Sequence, residues 1–328
     1  MENSKSKELI TKSNNLIEAR LNFSLMEYRI ILYSVSLINT VSTDLPDAFE
    51  INIKNFAQAF EIDVNGLYSD IKQTLMTKFF NRRFTILLDD GKKKVCHWLD
   101  SVVYEDHSGY IELKFSNDIV PFLQNLKTRY TTYYFEKITK FKSVFSVRIY
   151  EYCIMEINKK NSDYCVLSAI VLDELKLMLG LNDKYNLYAH FKQRVLNKAS
   201  EEINAYSDLT IDFEEIKKGR AVEAIKFTVK RKNGCKRAKY EAEIEQQLQA
   251  ESYININQEI DLEAQAMKAR LIKNYLVNEK IAESLVDAYP VESIQENLNY
   301  VDHVKIEHVK DLGAYTANAI KEDYKLKR

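Results

Sequence analysis

The chain has 328 residues, of which 46% are hydrophobic and 29% charged, with a formal net charge of −1. That length predicts two or three domains, and no stretch approaches the ~18 uninterrupted apolar residues of a membrane span. The opening MENSKSKELITKSNN lacks the apolar core of a secretory signal, and four scattered cysteines without a C-x-x-C pair argue against structural zinc or a disulfide framework, so a reducing cytoplasm is expected.

Residues 1–22 read as a mobile polar arm that turns helical near Asn14. Ser24 and Glu27 form a capping box, in which hydroxyl and carboxylate satisfy free amides at a helix start. The helix runs to about Asn39 with Tyr28, Ile31, Leu32, Val35 and Ile38 as its apolar stripe. A turn around Thr43–Asp47 follows, then a strand at Ile51–Ile53, a short helix at Lys54–Phe60, and a helix from Gly66 to about Phe80. Phe84–Leu88 and Val95–Tyr104 flank Asp89-Asp90-Gly91, a hairpin turn signal, with Lys92–Lys94 at its tip. Tyr110–Phe115 adds a strand and Asn117–Leu126 a short helix that tolerates Pro121.

Arg129–Lys142 reads as an aromatic and basic connection between domains. A helix over 143–158, a second at Leu172–Leu179 closed by Gly180, a third over 187–206 and a hairpin over 210–230 make the next unit. RKNGCKR (231–237) is a basic turn, and a polar Gln- and Glu-rich stretch leads to helices at about 262–277, 279–288, 291–301 and 312–323.

Charge is unevenly spread. Residues 137–239 hold 21 Lys+Arg against 13 Asp+Glu, whereas the tail from Tyr240 holds 10 against 17. A basic middle beside an acidic tail suggests that one module meets a polyanion. At ~100° per residue, Leu187, Phe191, Val195, Ala199 and Ile203 share one side of the third helix. His190, Gln193, Arg194 and Asn197 share the other. Arg pairs bidentately with guanine and Gln or Asn with adenine across the major groove. Lys192 and Lys198 flank that face and suit phosphate, as do Lys217, Lys218 and Arg220 at the hairpin tip. Lys184 and Tyr188 complete the candidate DNA-binding set.

The order helix, helix, helix, hairpin occurs twice. Displaced by 120 residues, LYSDIKQTLMTK (67–78) falls on LYAHFKQRVLNK (187–198) with five identities in twelve. At an offset of 119, Arg29-Ile30 meets Arg148-Ile149. Hairpin 84–104 is paired with hairpin 210–230, each placing acids before a basic tip. Such similarity reads as two related winged helices. The groove-facing positions differ: Asp70 against His190, Thr74 against Arg194, Thr77 against Asn197. The second copy is therefore the expected reader of sequence and the first its partner in positioning and assembly. The fold class is α+β: two tandem pseudo-repeated winged-helix domains (23–136 and 137–239), preceded by the arm and followed by a mainly α-helical extension (240–328).

On these residues the chain resembles the theta-type plasmid replication initiators, the iteron-binding Rep proteins. The matching stretches are SNNLIEARLNFSLMEYRIILYSVSLIN (13–39), FSVRIYEY (145–152), LDELKLMLGL (172–181) and the run over 192–229. The resemblance implies that the second winged helix docks its third helix on repeated origin DNA, with Gln193, Arg194, Asn197 and Lys198 in the reading role and Arg148 on phosphate. It implies that the first domain forms a homodimer in equilibrium with monomer, and that the protein is cytoplasmic with the plasmid. VKDLGAYTANAIKEDYK (309–325) resembles C-terminal extensions of initiators from Gram-positive plasmids, whose role would be contact with the host initiator or replicative helicase, or a structural appendix.

No G-x-x-x-x-G-K-[ST] is present, so ATP-driven unwinding would be the host's. The five histidines (His97, His107, His190, His303, His308) form no H-x-H pair of the kind a nicking metal site needs, and His303 and His308 miss the i,i+4 spacing. No enzyme, cofactor, metal or membrane partner is expected. A winged-helix transcriptional repressor of plasmid or phage origin is the alternative.

Overall fold

The structure, a computed structural model, describes residues 8–38, 48–232, 262–303 and 310–324 apart from 89, 107, 125, 127, 182 and 183, together with 242 and 246. The turn expected at Thr43–Asp47, most of the basic turn after Arg231, the Gln- and Glu-rich stretch, Asp89 of the hairpin turn and His308 lie outside the described residues. The chain divides into two compact units, 1–248 and 249–328. Among the described residues no helix is long and apolar enough to cross a membrane.

The first unit opens with strand β1 (Leu9–Ser13), helix α1 (Asn14–Glu18) and helix α2 (Leu25–Ser36). The expected capping box is present on α2: Glu27 N donates to Ser24 Oγ at 3.2 Å and Ser24 N to Glu27 Oε2 at 2.6 Å. Strand β2 (Phe49–Asn52), helix α3 (Ile53–Ala59) and helix α4 (Leu67–Thr74), which continues as a π-helical turn over Leu75–Phe79, follow. Strands β3 (Arg83–Leu87) and β4 (Lys93–His97) pair with each other, and β5 (Leu99–Tyr104) pairs with β6 (Tyr110–Phe115). The expected helix at Asn117–Leu126 is only a 3-10 turn, Val120–Phe122. Strand β7 (Tyr130–Tyr134) leads through a 3-10 turn to helix α5 (Val144–Lys159), strands β8 (Tyr164–Val166) and β9 (Ile170–Val171), and helix α6 (Leu172–Met178). Three contiguous pieces, Tyr188–Phe191, the π-helical Lys192–Asn197 and Lys198–Tyr206, make helix α7, followed by the hairpin β10 (Leu209–Lys218) and β11 (Ala221–Arg231).

The repeat is visible in the sheets, but with a corrected pairing. In the second half, β8 and β9, both ahead of α6, pair with the last hairpin strand, and the path through the sheet is β8-β11-β10. The same order in the first half is β2-β6-β5. The counterpart of hairpin β10–β11 is therefore β5–β6, not the β3–β4 hairpin assigned by its basic tip. β3–β4 is an insertion that forms its own two-stranded sheet. Val95–Tyr104 divides at Trp98, whose ring is 1% exposed and packs 5.0 Å from Phe84. Burying that indole breaks the strand into two.

One expectation about the chain's outer segments is overturned and another is sharpened. Residues 9–13 are not a mobile arm: all five are buried and pair antiparallel with β7. Arg129–Lys142, read as the connection between domains, is itself part of the packed fold, because it supplies β7 and the buried Phe135, Ile138 and Phe141. One continuous core runs from Leu9 to Val229, so both halves bury apolar surface together, the main driving force for their association.

The polar residues of β1 are tolerated because they are paired. Lys12, 1% exposed, donates to the Glu151 carboxylate and, at 3.0 Å, to Tyr28 Oη. Tyr28 and Tyr133 also donate to Glu151. The two arginines of the 119-residue repeat act reciprocally. Arg29 on α2 donates to the Phe141 carbonyl ahead of α5 at 3.1 Å, and Arg148 on α5 donates to the Ala19 carbonyl ahead of α2 at 2.8 Å. At Gly180, φ is +68° and an added Cβ would stand 2.6 Å from the Asn22 backbone, so a side chain there would be strained and would clash.

The second unit contains a helix over 262–275 and the helices Glu279–Ala288, Val291–Asp302 and Leu312–Lys321. They enclose their own core, including Leu271, Leu285, Ile294, Leu298 and Ile320. An added Cβ on Gly313 would meet the Leu276 carbonyl at 2.3 Å, so this last helix approaches the chain more closely than any side chain permits.

Candidate nucleic-acid interface

Helix α7 lays Phe191, Val195, Leu196, Ala199 and Ile203 into the core, each at most 1% exposed. Val195 and Leu196 are sequence neighbours, yet both face inward. A π turn holds one residue more than an α turn, and that residue turns both side chains to the core. Leu187, expected on the apolar side, is 64% exposed, since it precedes the helix as its N-terminal cap position. Met76, matched to Leu196 in the repeat, is 46% exposed. The π turns occupy different places in the two copies, Leu75–Phe79 and Lys192–Asn197, so the equivalence of faces fails there.

On the outer side of α7, His190, Gln193, Arg194 and Lys198 are exposed, and Asn197 is half-buried. Arg194 has no ion-pair or hydrogen-bond partner among the described residues, which leaves its planar fork of donors open. Lys198 is 3.1 Å from Glu202, whose other oxygen accepts from the Lys142 and Ser143 amides ahead of α5 at 3.1 and 3.2 Å. The Lys198 ammonium therefore stays close to the fold. Lys184 is exposed in the turn before α7.

The hairpin turns at Gly219-Arg220, with Gly219 at φ +64°. Positive φ is what tight hairpin turns demand. Lys217, Lys218 and Arg220 are all exposed at this tip. Lys218 lies 3.2 Å from Glu223, but both are solvated, so that pair holds the lysine weakly.

Between helix and hairpin stands a residue that composition alone does not single out. Glu215 accepts from Tyr188 Oη at 3.0 Å, meets Lys192 Nζ at 2.6 Å and has Lys217 Nζ at 3.8 Å. The hydrogen bond from Lys192 is the largest influence on its carboxyl, which is held below the ordinary value. The Tyr188 hydroxyl is pushed up by burial and by its bond to Glu215. Period-2 alternation places Glu215 on the same strand face as the inward-facing Ile211 and Phe213. A register shift between Ile216 and Lys217 then alters the alternation. That alternation is the sequence signal that points to Glu215, and grouping it with Glu214 as an acidic pair obscures it.

The first half repeats this latch with other atoms. Tyr68 Oη donates to the Glu105 carbonyl at 2.9 Å, and Lys72 donates to Asp106 at 2.7 Å while lying 4.1 Å from the Tyr104 ring centroid. The Tyr and Lys shared by the two copies thus tie each helix to its own hairpin. The first hairpin carries acids, Glu105 and Asp106, where the second carries a basic tip.

Arg148 is corrected. The resemblance implies a phosphate contact, but Arg148 is 2% exposed, and its donors reach Ala19, Tyr28 and Met178 at 2.8–3.4 Å. A guanidinium so enclosed positions α5 against the first half and does not face solvent.

Two family models match the chain: Initiator Replication protein, WH1, over residues 9–154, and Initiator Rep protein, WH2, over residues 171–229. Together they span more than half of it. A "Replication initiation protein" of Escherichia coli is 26% identical over 230 residues, covering 68% of this chain and 70% of the relative. The "PI protein" of Escherichia coli is 28% identical over 144 residues, covering 39% of this chain and 46% of that one. Among solved structures, a Pi initiator protein in complex with iteron DNA is similar with a TM-score of 0.58 at 21% identity, over 70% of this chain and 99% of the other. That likeness is one of fold.

Proposed function

The chain belongs to the family of initiator replication proteins with WH1 and WH2 domains, and we propose from that membership that it initiates plasmid replication by binding repeated origin DNA, with α7 in the major groove. The observation that carries the reading residue by residue is the open Arg194, exposed with His190 and Gln193 on the outer side of α7 beside a basic hairpin tip. The comparisons support initiation over the repressor alternative, because both family models and the Escherichia coli relative are initiators by name.

In this reading residues 137–239 read the sequence, and residues 23–136, together with β1, supply backbone contacts and the homodimer interface of a monomer–dimer equilibrium. The extension over 240–328 contacts a host initiator or replicative helicase, and the protein works in the bacterial cytoplasm. His190, Gln193, Arg194 and Asn197 face bases. Lys184, Tyr188, Lys192, Lys198, Lys217, Lys218 and Arg220 serve the phosphates beside them.

The test is a titration of the purified protein against DNA flanking its own gene. Saturable binding to tandem repeats, lost when the repeats are scrambled, is the expected result; equal binding to both contradicts the reading. Replacing Lys217, Lys218 and Arg220 with alanine is expected to flatten the dependence of log K on log salt by about 0.9 for each phosphate that is no longer neutralised. An unchanged slope removes the hairpin from the interface.

A further inference from the structure

Helix α7 and strand β10 meet at a corner beside the face assigned to base reading, and a duplex held by α7 would bring its backbone close to that corner. Lys192 from the helix and Lys217 from the hairpin converge there, with the Tyr188 hydroxyl beside them. Two cations and a hydroxyl donor are the groups that hold a phosphate oxyanion. In this structure the anion they hold is the chain's own carboxylate, Glu215, whose side chain is 18% exposed.

We propose that Glu215 is a specificity-determining residue that occupies the place of a backbone phosphate and releases it only to DNA that α7 has seated by base contacts. The inference rests on the DNA-binding reading above and assigns a role to a residue that faces no base.

The physical basis is a competition between two anions for the same cations. Non-specific binding is almost wholly electrostatic. A duplex that offers phosphate without base contacts must displace Glu215 and lie against a fixed negative charge, so its gain from Lys192 and Lys217 is largely cancelled. A cognate duplex meets the same charge, but only a duplex seated by the base contacts of α7 brings a phosphate into register with the Tyr188 and Lys192 that Glu215 has ordered. The entropy of fixing a lysine or a ring has then been met in the free protein. Loss of the carboxylate therefore removes a repulsion from every complex, and removes a preorganised corner only from the cognate one.

The first half provides an internal comparison. Its equivalent Tyr68 and Lys72 are tied to Glu105 and Asp106 of a hairpin without a basic tip. The latch there joins helix to hairpin. The second copy keeps the latch and adds Lys217 across the register shift in β10. That addition turns a packing contact into a phosphate-shaped site.

Glu215→Gln preserves the shape and can still accept from Tyr188 while removing the charge. It would be compared with the wild type for binding to the cognate repeats and to a scrambled duplex, across a salt series, in the full chain. The proposal expects affinity for scrambled DNA to rise about tenfold at low salt, with a salt slope steeper by about one to two neutralised phosphates, and the cognate-to-scrambled ratio to fall. Adding Lys192→Ala to Glu215→Gln should cancel the gain. Equal gains on both duplexes, no gain on scrambled DNA, or a gain that survives Lys192→Ala would each overturn the proposal. A parallel loss on both duplexes with a lowered melting temperature would also overturn it, because Glu215 would then only hold the fold. The scrambled-DNA arm judges Glu215 even where the wild type shows no preference for repeats, and that second outcome would strike the DNA-reading assignment instead.

Discussion

Arg194→Ala is expected to weaken binding to the cognate repeats by about 1–3 kcal/mol for each base it reads, or roughly fivefold to 150-fold. Weak binding to unrelated DNA should remain, because phosphate contacts carry that term. Arg194 stands apart from the other basic residues of α7 because its neighbours are engaged. Lys192 is held by Glu215 and Lys198 by Glu202, whereas Arg194 is exposed and has no such partner among the described residues. A guanidinium that need break no ion pair, and that presents a planar fork, is suited to the two acceptors of a guanine edge. Measurement at matched salt on cognate and scrambled duplexes separates the roles. If both affinities fell by the same factor, Arg194 would be a phosphate contact, and the reading face would have to move toward His190 and Gln193.

The other large effect concerns how the two halves are held together. Glu151 is fully buried and receives Lys12, Tyr28 and Tyr133 from three separate elements, with Arg148 at 3.6 Å. Glu151→Gln keeps the volume but leaves two buried cations without their counter-ion. Breaking a buried pair in this way costs about 3–5 kcal/mol, read as a lowered urea midpoint. A loss below about 1 kcal/mol, the scale of an exposed pair, would show that the network is not what secures α5 to β1 and α2.

The same carboxylate predicts a pH dependence. Burial pushes the Glu151 carboxyl up, but Lys12, Arg148 and the hydrogen bonds from Lys12 and Tyr133 outweigh it and leave it below the usual value. A folded-state value below the unfolded one contributes stability that is present above the unfolded value of ~4.3. That contribution disappears as pH falls through the folded value. Stability of the wild type should therefore drop in acid, and the Glu151→Gln variant should lack that part of the drop. Tyr28 and Tyr133 work in the opposite sense. Burial and the Glu151 charge raise both hydroxyls, so their contribution is complete below ~10 and is lost as pH rises through the folded values.

Much of this architecture is legible in the sequence because local rules and burial agree. The capping box of α2, the buried face of α7 from Phe191 to Ile203 and the hairpin closed by Gly219 each follow from a few residues in sequence. The failures share one cause: a partner distant in sequence changes the meaning of a local signal. LITKS at residues 9–13 reads as solvated until Glu151 neutralises Lys12 and β7 satisfies its backbone. The resemblance assigns Arg148 to phosphate, whereas in the fold Ala19 and Met178 offer it buried carbonyls. Lys92–Lys94 imitates a basic wing tip, yet the strand order assigns that place to β5–β6. Glu215 is the reverse case. It looks like part of a solvated acidic pair, and only the packing of β10 against α7 shows what it holds. Leu187 fails for a smaller reason, since it stands at the helix end, where the rotation of ~100° per residue no longer applies.

Everything proposed for the second half depends on α7 reading repeated DNA from the major groove. Guanine N7 methylation interference on the gene's flanking repeats probes that placement without intermediate steps, because N7 is a major-groove acceptor. Wild-type protein should show interference at the same guanine positions within each repeat, with at least one position insensitive in Arg194→Ala. Binding that proceeds on fully methylated repeats as readily as on unmethylated ones would contradict a helix in that groove.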